Sequence, residues 1–253
     1  MLWRALKDVS NGFWIDVGAA HPSEYSVTRA FSERGWRGVN VEPEPGYAAA
    51  LRAARPRDVN LQIAVGAAPG RAQLQHLPGT GLSTFDAATA DRHAKAGFTR
   101  TDALEVEIRT LADICAEHAP ADIHFLKIDV EGSEATVLEG ADFARFRPWI
   151  VVVEATVPGT PLRATEGFER YLLSAGYREC WFDGLNTFYL AAERDAALAP
   201  AFCAPPNIFD FYIRADEASE VGQLQAALAR MEASKSWRIT APLRAIMRAL
   251  RRS

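Results

Sequence analysis

The sequence has no apolar run long enough to cross a bilayer. Its longest run, around Trp149 to Val153, falls well short of the ~20 residues that a spanning helix needs and suits a buried strand. The first residues, MLWRALKDVSNG, also lack the apolar core of a secretion signal. We therefore expect a cytoplasmic protein, with peripheral contact to the inner membrane surface as an open alternative.

Cysteine is also scarce. Cys115, Cys180 and Cys203 are odd in number, widely spaced and outside any CxxC pair. This pattern argues against a disulfide framework and against a zinc site, and we predict no bound metal. Three histidines carry no recognisable pattern and are expected to be solvated: His76, His93 and His118.

Acidic and basic residues are unevenly distributed along the chain. The net charge is −4, yet residues 235–253 carry six cations and no acid. Removing these six positive charges from the total of −4 leaves residues 1–234 with a net charge of −10. A body this acidic is a poor candidate for binding nucleic acid, and we predict no nucleic-acid partner.

What the sequence does contain is a strand followed by a tight turn, FWIDVGAAHP, at residues 13–22. Phe13 to Val17 is a short apolar run that only Asp16 interrupts. The next residues remove side-chain bulk where the backbone must turn: Gly18, Ala19 and Ala20. In an open α/β sheet such a loop lies at the carboxyl edge, where ligands bind. The loop has one glycine where a dinucleotide fingerprint has three.

A second acid follows at the end of the second predicted strand, Arg37–Val41. Glu42, followed by Pro43, comes 26 residues after Asp16, which is the length of one strand–helix–strand unit. Such folds bind a ribose diol at the tip of the second strand, because a carboxylate can accept both hydroxyl hydrogens. The two acids together therefore indicate a nucleoside-containing ligand.

The remaining pattern predicts an α/β fold. A helix capped by Ser23 or Ser26 runs to about Arg34, and residues 60–65 form a third strand. The segments AQLQHL and LEVEIRT interrupt the alternation of strands and helices and predict an antiparallel excursion from the parallel series. The segment CWFDGLNTFYLA predicts a hairpin around Asp183-Gly184. This hairpin on a five-strand parallel series gives seven strands, the last one antiparallel.

The stretch HFLKIDVEGSE, residues 124–134, concentrates charge at the end of an apolar strand. Alternation places Lys127, Asp129 and Glu131 on the same side of the strand. Such charge is costly unless it is paired or acts on a ligand. An ion pair between Lys127 and Asp129 and a ligand site both remain open.

Six motifs, in chain order, resemble the FkbM family of S-adenosylmethionine-dependent methyltransferases: IDVGAAHP, VEP, the LSTF loop, LKIDVEGSE, VVVEATVPGT and FDGLNTFYL. The resemblance covers roughly residues 12–213. It implies a Rossmann-like doubly wound methyltransferase sheet in a domain of residues 1–216, followed by a helical, basic and amphipathic C-terminal segment of residues 217–253. It also implies methyl transfer, commonly to a hydroxyl of a sugar, polysaccharide or natural-product acceptor.

The resemblance also assigns residues to S-adenosylmethionine. Its methionine part lies beside the first motif, represented by Asp16, Gly18 and Ala19. Glu42, next to Pro43, holds the ribose hydroxyls. Asp129 and Glu131 match the motif that faces the transferred methyl. Ser83 and Thr84, in the loop expected to close over the site, can bond to cofactor or acceptor.

Two positions depart from the family pattern. Many members have Asn where Ala20 stands and Gly where Pro22 stands. Pro22 removes one N–H from the turn, so the carboxylate of the cofactor must rely on the other amides.

A hydroxyl acceptor is a weak nucleophile, and a positioned base contributes roughly 100- to 10,000-fold. Glu131 and Glu154, at adjacent strand tips, are the best candidates, and His21 is the third. We prefer Glu131, because Gly132 leaves its strand tip open.

The C-terminal segment carries apolar residues at helical spacing. Val221, Leu224, Leu228 and Met231 form a seam of two heptads. A basic helix follows, with the apolar positions Leu243, Ile246, Met247 and Leu250. Docking onto the protein's own domain and contact of residues 235–253 with a membrane surface or a partner helix both remain open.

Two other function classes would use some of the same features. An enzyme that binds NAD or a nucleotide sugar would be expected to have more glycines in the first loop. For hydride chemistry it would also need a Tyr–Lys pair, which we do not find. A non-catalytic interaction module that works through its tail is the other alternative.

Overall fold

We describe the protein from a computed structural model. The structure describes residues 1–157, 160–211 and 215–250, but not the side chains of residues 215–218, 245, 246 and 248–250. Several predicted features therefore lie outside the description: Pro158 and Gly159 of one motif, the apolar side chains of Ile246 and Leu250, and the cations Arg248, Arg251 and Arg252.

The described residues contain ten strands. In chain order they are β1 (Phe13–Val17), β2 (Arg37–Val41), β3 (Val59–Leu61), β4 (Ala64–Val65), β5 (Gly70–Leu74), β6 (Leu104–Arg109), β7 (Phe125–Ile128), β8 (Ile150–Glu154), β9 (Tyr177–Phe182) and β10 (Asn186–Ala191).

The α-helices of the same residues are α1 (Leu2–Leu6), α2 (Arg29–Glu33), α3 (Pro45–Ala54), α4 (Ala87–Lys95), α5 (Leu111–His118), α6 (Glu134–Glu139), α7 (Glu169–Ser174), α8 (Asp195–Leu198), α9 (Ala215–Ala233), α10 (Lys235–Ile239) and α11 (Ala241–Leu250). Short 3₁₀ turns cover Ala192–Arg194, Ala199–Phe202 and Ile208–Asp210.

Seven strands form one sheet in the order β3-β2-β1-β7-β8-β10-β9. The first five of these are parallel to one another, whereas β10 is antiparallel to both β8 and β9. The order reverses beside β1, which is the switch point where open α/β sheets bind ligands. The predicted α/β fold, with seven strands and an antiparallel last strand, is therefore confirmed.

The central strands bury both faces, as parallel strands do when helices cover each side of the sheet. Alternation sends Ile15 and Val17 of β1 into one cluster, which also contains Ile114 of α5 and Val137 of α6. It sends Trp14 into the other cluster, with Phe31 and Phe125 among its members. Asp16 shares the strand with these residues and is 1% exposed, so its charge must be balanced inside the protein.

Two predicted elements differ from the structure. The predicted strand over residues 60–65 is two short strands in different sheets, because β3 pairs with β2 whereas β4 pairs with β6. The antiparallel pairing of β5 with β6 confirms the predicted excursion. The helix predicted to begin at Ser23 or Ser26 begins at Arg29, with Thr28 as its first flanking residue.

The chain divides into two compact units, Met1–Pro205 and Pro206–Ser253. The predicted boundary after residue 216 falls inside the second unit, and its functional meaning stays a prediction. The helices α9, α10 and α11 belong to this unit, so the predicted C-terminal helices are present.

None of the helices in the described part of the chain is long and apolar enough to cross a membrane.

Candidate active site

A cavity of about 330 Å³ opens at the carboxyl ends of β1, β2 and β7. This volume lies within the range of small-molecule sites. Most of the predicted site residues line it: Asp16, Gly18, Ala19, His21, Glu42, Pro43, Ser83, Asp129 and Glu131. Glu154 is not part of the lining, although its carboxylate lies beside two that are.

The turn after β1 depends on Gly18. Its φ of 78° is left-handed, and a Cβ at this position would lie 1.7 Å from the carbonyl oxygen of Asp129. Glycine therefore permits both the turn and the contact with the chain after β7. Ala20 has a φ of 47°, a conformation that Asn adopts more readily than Ala.

Lys127 joins the ends of β1 and β7. Its Nζ lies 3.2 Å from Asp16 Oδ1 and 3.2 Å from Asp129 Oδ2, and it donates to the carbonyl of Gly18 at 2.9 Å. Burial opposes its charge, but the carboxylates of Asp129 and Asp16 outweigh burial and raise the pKa of Lys127. The sequence left open an ion pair between Lys127 and Asp129 and a ligand site. The structure contains the ion pair, and Asp16 is a second carboxylate partner of Lys127.

A second cation supports the wall of the cavity. The buried guanidinium of Arg55, just after α3, donates to Thr28 Oγ1 at 2.6 Å and also to Ser26 Oγ and the carbonyl of Pro22. Thr28 in turn donates to Asp16 Oδ2 at 3.1 Å. These bonds hold residues 22–28 as an irregular segment, and they explain why α2 begins only at Arg29. Sequence patterns gave no indication of Arg55.

Glu42 lies at the end of β2 and is almost fully buried. Its Oε2 accepts from the amide of Ala20 at 2.7 Å, and its Oε1 accepts from the amide of Glu44 at 2.8 Å. Each carboxylate oxygen retains a lone pair, so the group can still accept two hydroxyl hydrogens. Burial raises the pKa of Glu42 to about 7, against the effect of the two amide bonds.

Glu44 is a site residue that the sequence did not indicate. Its carboxylate caps α3 by accepting from the amide of Tyr47 at 2.7 Å, and it lies 3.1 Å from His76 Nε2. The expectation that His76 is solvated is therefore wrong, since its side chain is largely buried beside the cavity. His93 is also buried and His118 is half-buried, because helix faces and not sequence composition decide their exposure.

Three carboxylates meet at the tips of β7 and β8. Oxygens of Asp129, Glu131 and Glu154 lie within 4.8 Å of one another. Burial, followed by repulsion from Asp129, raises the pKa of Glu131 to about 7 and that of Glu154 to about 9. Like charges at this separation oppose one another's ionisation, so the protonation of Glu131 and that of Glu154 depend on each other.

The turn that presents Glu131 is held from several sides. Glu131 itself has a left-handed φ of 52°. Glu134, the first residue of α6, accepts from the amides of Gly132 at 3.0 Å and Val130 at 3.3 Å. Thr84 donates its hydroxyl to the carbonyl of Glu131 at 3.1 Å. Such support allows a strained residue to persist at a functional site.

The carboxylate cluster is also the group of described residues that could hold a metal ion. Oxygen ligands of this kind suit Mg²⁺ or Ca²⁺. The prediction that the protein binds no metal stays a prediction.

His21 lines the cavity but is poorly placed to act as a base. Its Nδ1 accepts from the amides of Glu24 at 2.9 Å and Ser23 at 3.2 Å. These bonds assign the proton of the neutral ring to Nε2, which then donates and cannot accept a proton.

The loop predicted to close over the site borders the cavity with residues 79–83 and with Phe85. Gly79 and Gly81 have φ values of 70° and 77°. Ser83 Oγ accepts from the amide of Leu77 at 3.1 Å, and its own proton stays available for a ligand. The loop is therefore placed for contact with a bound molecule.

Comparisons with known proteins show what this chain is similar to. Residues 16–179 match the family model described as a methyltransferase FkbM domain. A crystal structure of methyltransferase FkbM from Methylobacillus flagellatus KT is similar to 72% of this chain, with a TM-score of 0.44 and 19% sequence identity. The similar region covers 43% of that chain, so this chain spans less than half of its length. No curated protein matches the sequence.

Proposed function

The chain belongs to the FkbM methyltransferase domain family, and we propose that it transfers a methyl group from S-adenosylmethionine to a hydroxyl of a sugar, polysaccharide or natural-product acceptor. Four sequence motifs that carry the family resemblance contribute to one cavity, at the switch point of the sheet. The position of this cavity is where an α/β sheet binds a nucleoside.

The observation that carries the proposal is the charge of the cavity lining. Its acidic residues are Asp16, Glu24, Glu42, Glu44, Asp129 and Glu131. Among the described residues that line it, Lys127 is the single lysine or arginine, and its bonds are all internal. A cavity of this kind favours a ligand that carries positive charge, as S-adenosylmethionine does in its sulfonium and ammonium groups.

The same lining is unfavourable for the rival ligands. NAD and nucleotide sugars carry two negatively charged phosphates, which need exposed amides or cations as partners. Here such groups would face carboxylates. This argument also supports the expectation that nucleic acid is not a substrate, because a phosphate backbone would meet the same repulsion.

The residues present fit the proposed cofactor. Glu42 has two lone pairs left for the ribose hydroxyls. When bound, S-adenosylmethionine supplies an electrophilic methyl on a sulfonium. The protein must then bind the acceptor, align its oxygen and remove its proton.

Proton removal is assigned to Glu131. A base works best when its pKa is near the working pH, and the pKa of Glu131 is about 7. Glu154, with a pKa of about 9, keeps its proton at neutral pH. Lys127 pairs with the carboxylate of Asp129 at 3.2 Å, which leaves Glu131 to accept the proton from the acceptor hydroxyl.

Isothermal titration calorimetry tests the proposal. We expect saturable heat with S-adenosylmethionine and with its demethylated product, and none with NAD. Glu42→Gln should weaken the binding, whereas Asp8→Asn, which removes an equal charge from an exposed turn, should not. Saturable binding of NAD, with no heat from S-adenosylmethionine or its demethylated product, would contradict the proposal.

Methyl transfer itself is tested with labelled S-adenosylmethionine and a panel of sugar and polyol acceptors. We expect the labelled methyl group to appear in an acceptor, and we expect no transfer when the protein is incubated without an acceptor. Tight cofactor binding without transfer to any acceptor would favour the non-catalytic interaction module instead.

A further inference from the structure

The end of the chain forms a short amphipathic segment, which we call the basic tail and define as residues 234–250. Ser234 caps α10 by accepting from the amide of Trp237 at 3.3 Å. Thr240 links α10 to α11, because its amide donates to Ser236 and its carbonyl accepts from Arg244. The two helices thus continue with a single-residue junction.

The basic tail exposes apolar side chains in a row. Ile239, Leu243 and Met247 follow one another at intervals of four residues, so those on α11 lie one turn apart on one face. They are 75%, 64% and 56% exposed. Large apolar side chains in such a row mark an interaction surface more often than a solvated one.

The same segment is strongly cationic. Lys235, Arg238 and Arg244 are described cations of the basic tail, and the sequence adds Arg248 and two terminal arginines. The last acidic residue of the chain is Glu232. The guanidinium of Arg244 lies 3.7 Å from the ring centre of Trp237 and donates to the carbonyl of Trp237 at 2.6 Å.

These features together identify the kind of surface that would cover the basic tail. A nucleic acid would match the cations but would leave the apolar row in water. A surface of anionic lipid matches both, because headgroups take the cations and the acyl boundary takes the apolar side chains. Tryptophan and arginine side by side also suit the headgroup level of a bilayer.

We propose that the basic tail lies on an anionic membrane surface and holds the enzyme there reversibly. A row of three described apolar side chains is too short for tight insertion, so the contact depends on charge. Salt must therefore weaken it. The site residues of the cavity all precede Val157, so none of them belongs to the basic tail.

Vesicle flotation of the full-length protein tests the proposal. Vesicles of phosphatidylcholine alone are compared with vesicles that also contain phosphatidylglycerol, at low and at high salt. We expect the protein to float with the anionic vesicles at low salt only. Arg244→Gln should lower its partition coefficient about fivefold, which corresponds to the ~1 kcal/mol that one surface cation contributes.

The helix α9 supplies matched controls. Leu224 is 62% exposed, close to the 64% of Leu243, and Arg230 is an exposed cation of the same unit. Leu243→Gln should lower vesicle binding, whereas Leu224→Gln and Arg230→Gln should leave it unchanged. Circular dichroism verifies that each variant keeps its helix content.

Several outcomes would overturn the proposal. One is that the protein stays in the soluble fraction with anionic vesicles at low salt. Another is that the α9 variants lose as much vesicle binding as the α11 variants. A shift in oligomeric state for Leu243→Gln without vesicle binding would identify a partner helix instead. If the protein binds an oligonucleotide and not vesicles, the positive charge of the basic tail alone accounts for its binding, and the membrane proposal is wrong.

Discussion

Replacing Lys127 by methionine should strongly destabilise the protein, because the change removes a cation from a buried network and keeps the side-chain volume. Lys127 and Asp16 have exposed side-chain fractions of 8% and 1%. After the substitution, Asp16 keeps the hydroxyl of Thr28 as a partner but loses its counter-charge. The guanidinium of Arg55 is near, but its bonds go to Thr28, Ser26 and Pro22.

The expected loss in the free energy of unfolding is about 3 kcal/mol. Removing one partner of a buried ion pair typically costs ~3–5 kcal/mol. We take the lower end, because Arg55 offsets part of the uncompensated charge and water reaches Asp129. For a chain of this size such a loss lowers the melting temperature by roughly 6–12 °C.

Thermal and urea unfolding, followed by circular dichroism, measure the effect. Arg71→Met is the matched control, since Arg71 pairs with Glu105 through side chains that are 69% and 52% exposed. An exposed pair of this kind is worth at most ~1 kcal/mol. The contrast between the two variants therefore isolates the contribution of burial.

The double variant Lys127→Met/Asp16→Asn decides whether the loss comes from the unpaired charge. Replacing both members of a buried pair with neutral groups is often close to neutral, so the double variant should recover much of the stability. A loss below about 1 kcal/mol for Lys127→Met, or a double variant no more stable than the single one, would refute the reasoning.

Glu42→Ala should weaken binding of S-adenosylmethionine by about 1.5–3 kcal/mol in calorimetry. Because the pKa of Glu42 is about 7, the affinity of the wild-type protein should also fall as the pH drops below 7. An affinity that does not change with pH would contradict the ribose contact. Amide hydrogen exchange over residues 79–85 should slow when ligand is added, and unchanged exchange would count against loop closure. Glu131→Gln should reduce turnover at least ~100-fold with cofactor affinity nearly unchanged. Wild-type turnover should rise with pH through about 7, where Glu131 loses its proton; a rise near pH 9, lost in Glu154→Gln, would assign the base to Glu154.

Local sequence patterns predicted much of the main sheet. The predicted bounds of β1 and β2 agree with the structure, because each is an apolar run that small residues or an acid interrupt at its end. The hairpin of β9 and β10 was also predicted, since Asp183-Gly184 is a turn sequence between two alternating segments. Periodicity and turn chemistry act over a few residues, so they can be read without the fold.

The principal acids of the cavity were likewise predictable. Asp16 is the second-last residue of β1, and Glu42 and Asp129 directly follow β2 and β7. The carboxyl ends of parallel strands must meet at one edge of the sheet. The structure places all three in the lining of one cavity. Their roles toward a cofactor stay predictions.

Other features depended on contacts between distant segments. Arg55 comes after a helix with no motif around it, yet its side chain holds the loop of residues 22–28. Glu44 and His76 meet beside the cavity, although no sequence pattern connects these two residues. The single predicted strand at residues 60–65 divides between two sheets, because its partners β2 and β6 lie far apart in the chain.

The sequence by itself therefore determined most strands of the main sheet, the acids at their ends and the family that the motifs resemble. The tertiary structure alone decided which charges meet. Lys127 pairs with Asp16 and Asp129, whereas no described residue forms an ion pair with Glu131 or Glu154, and their pKa values rise. Ionisation depends on burial and on distances between charges, and both arise only when separate strands come together in the sheet.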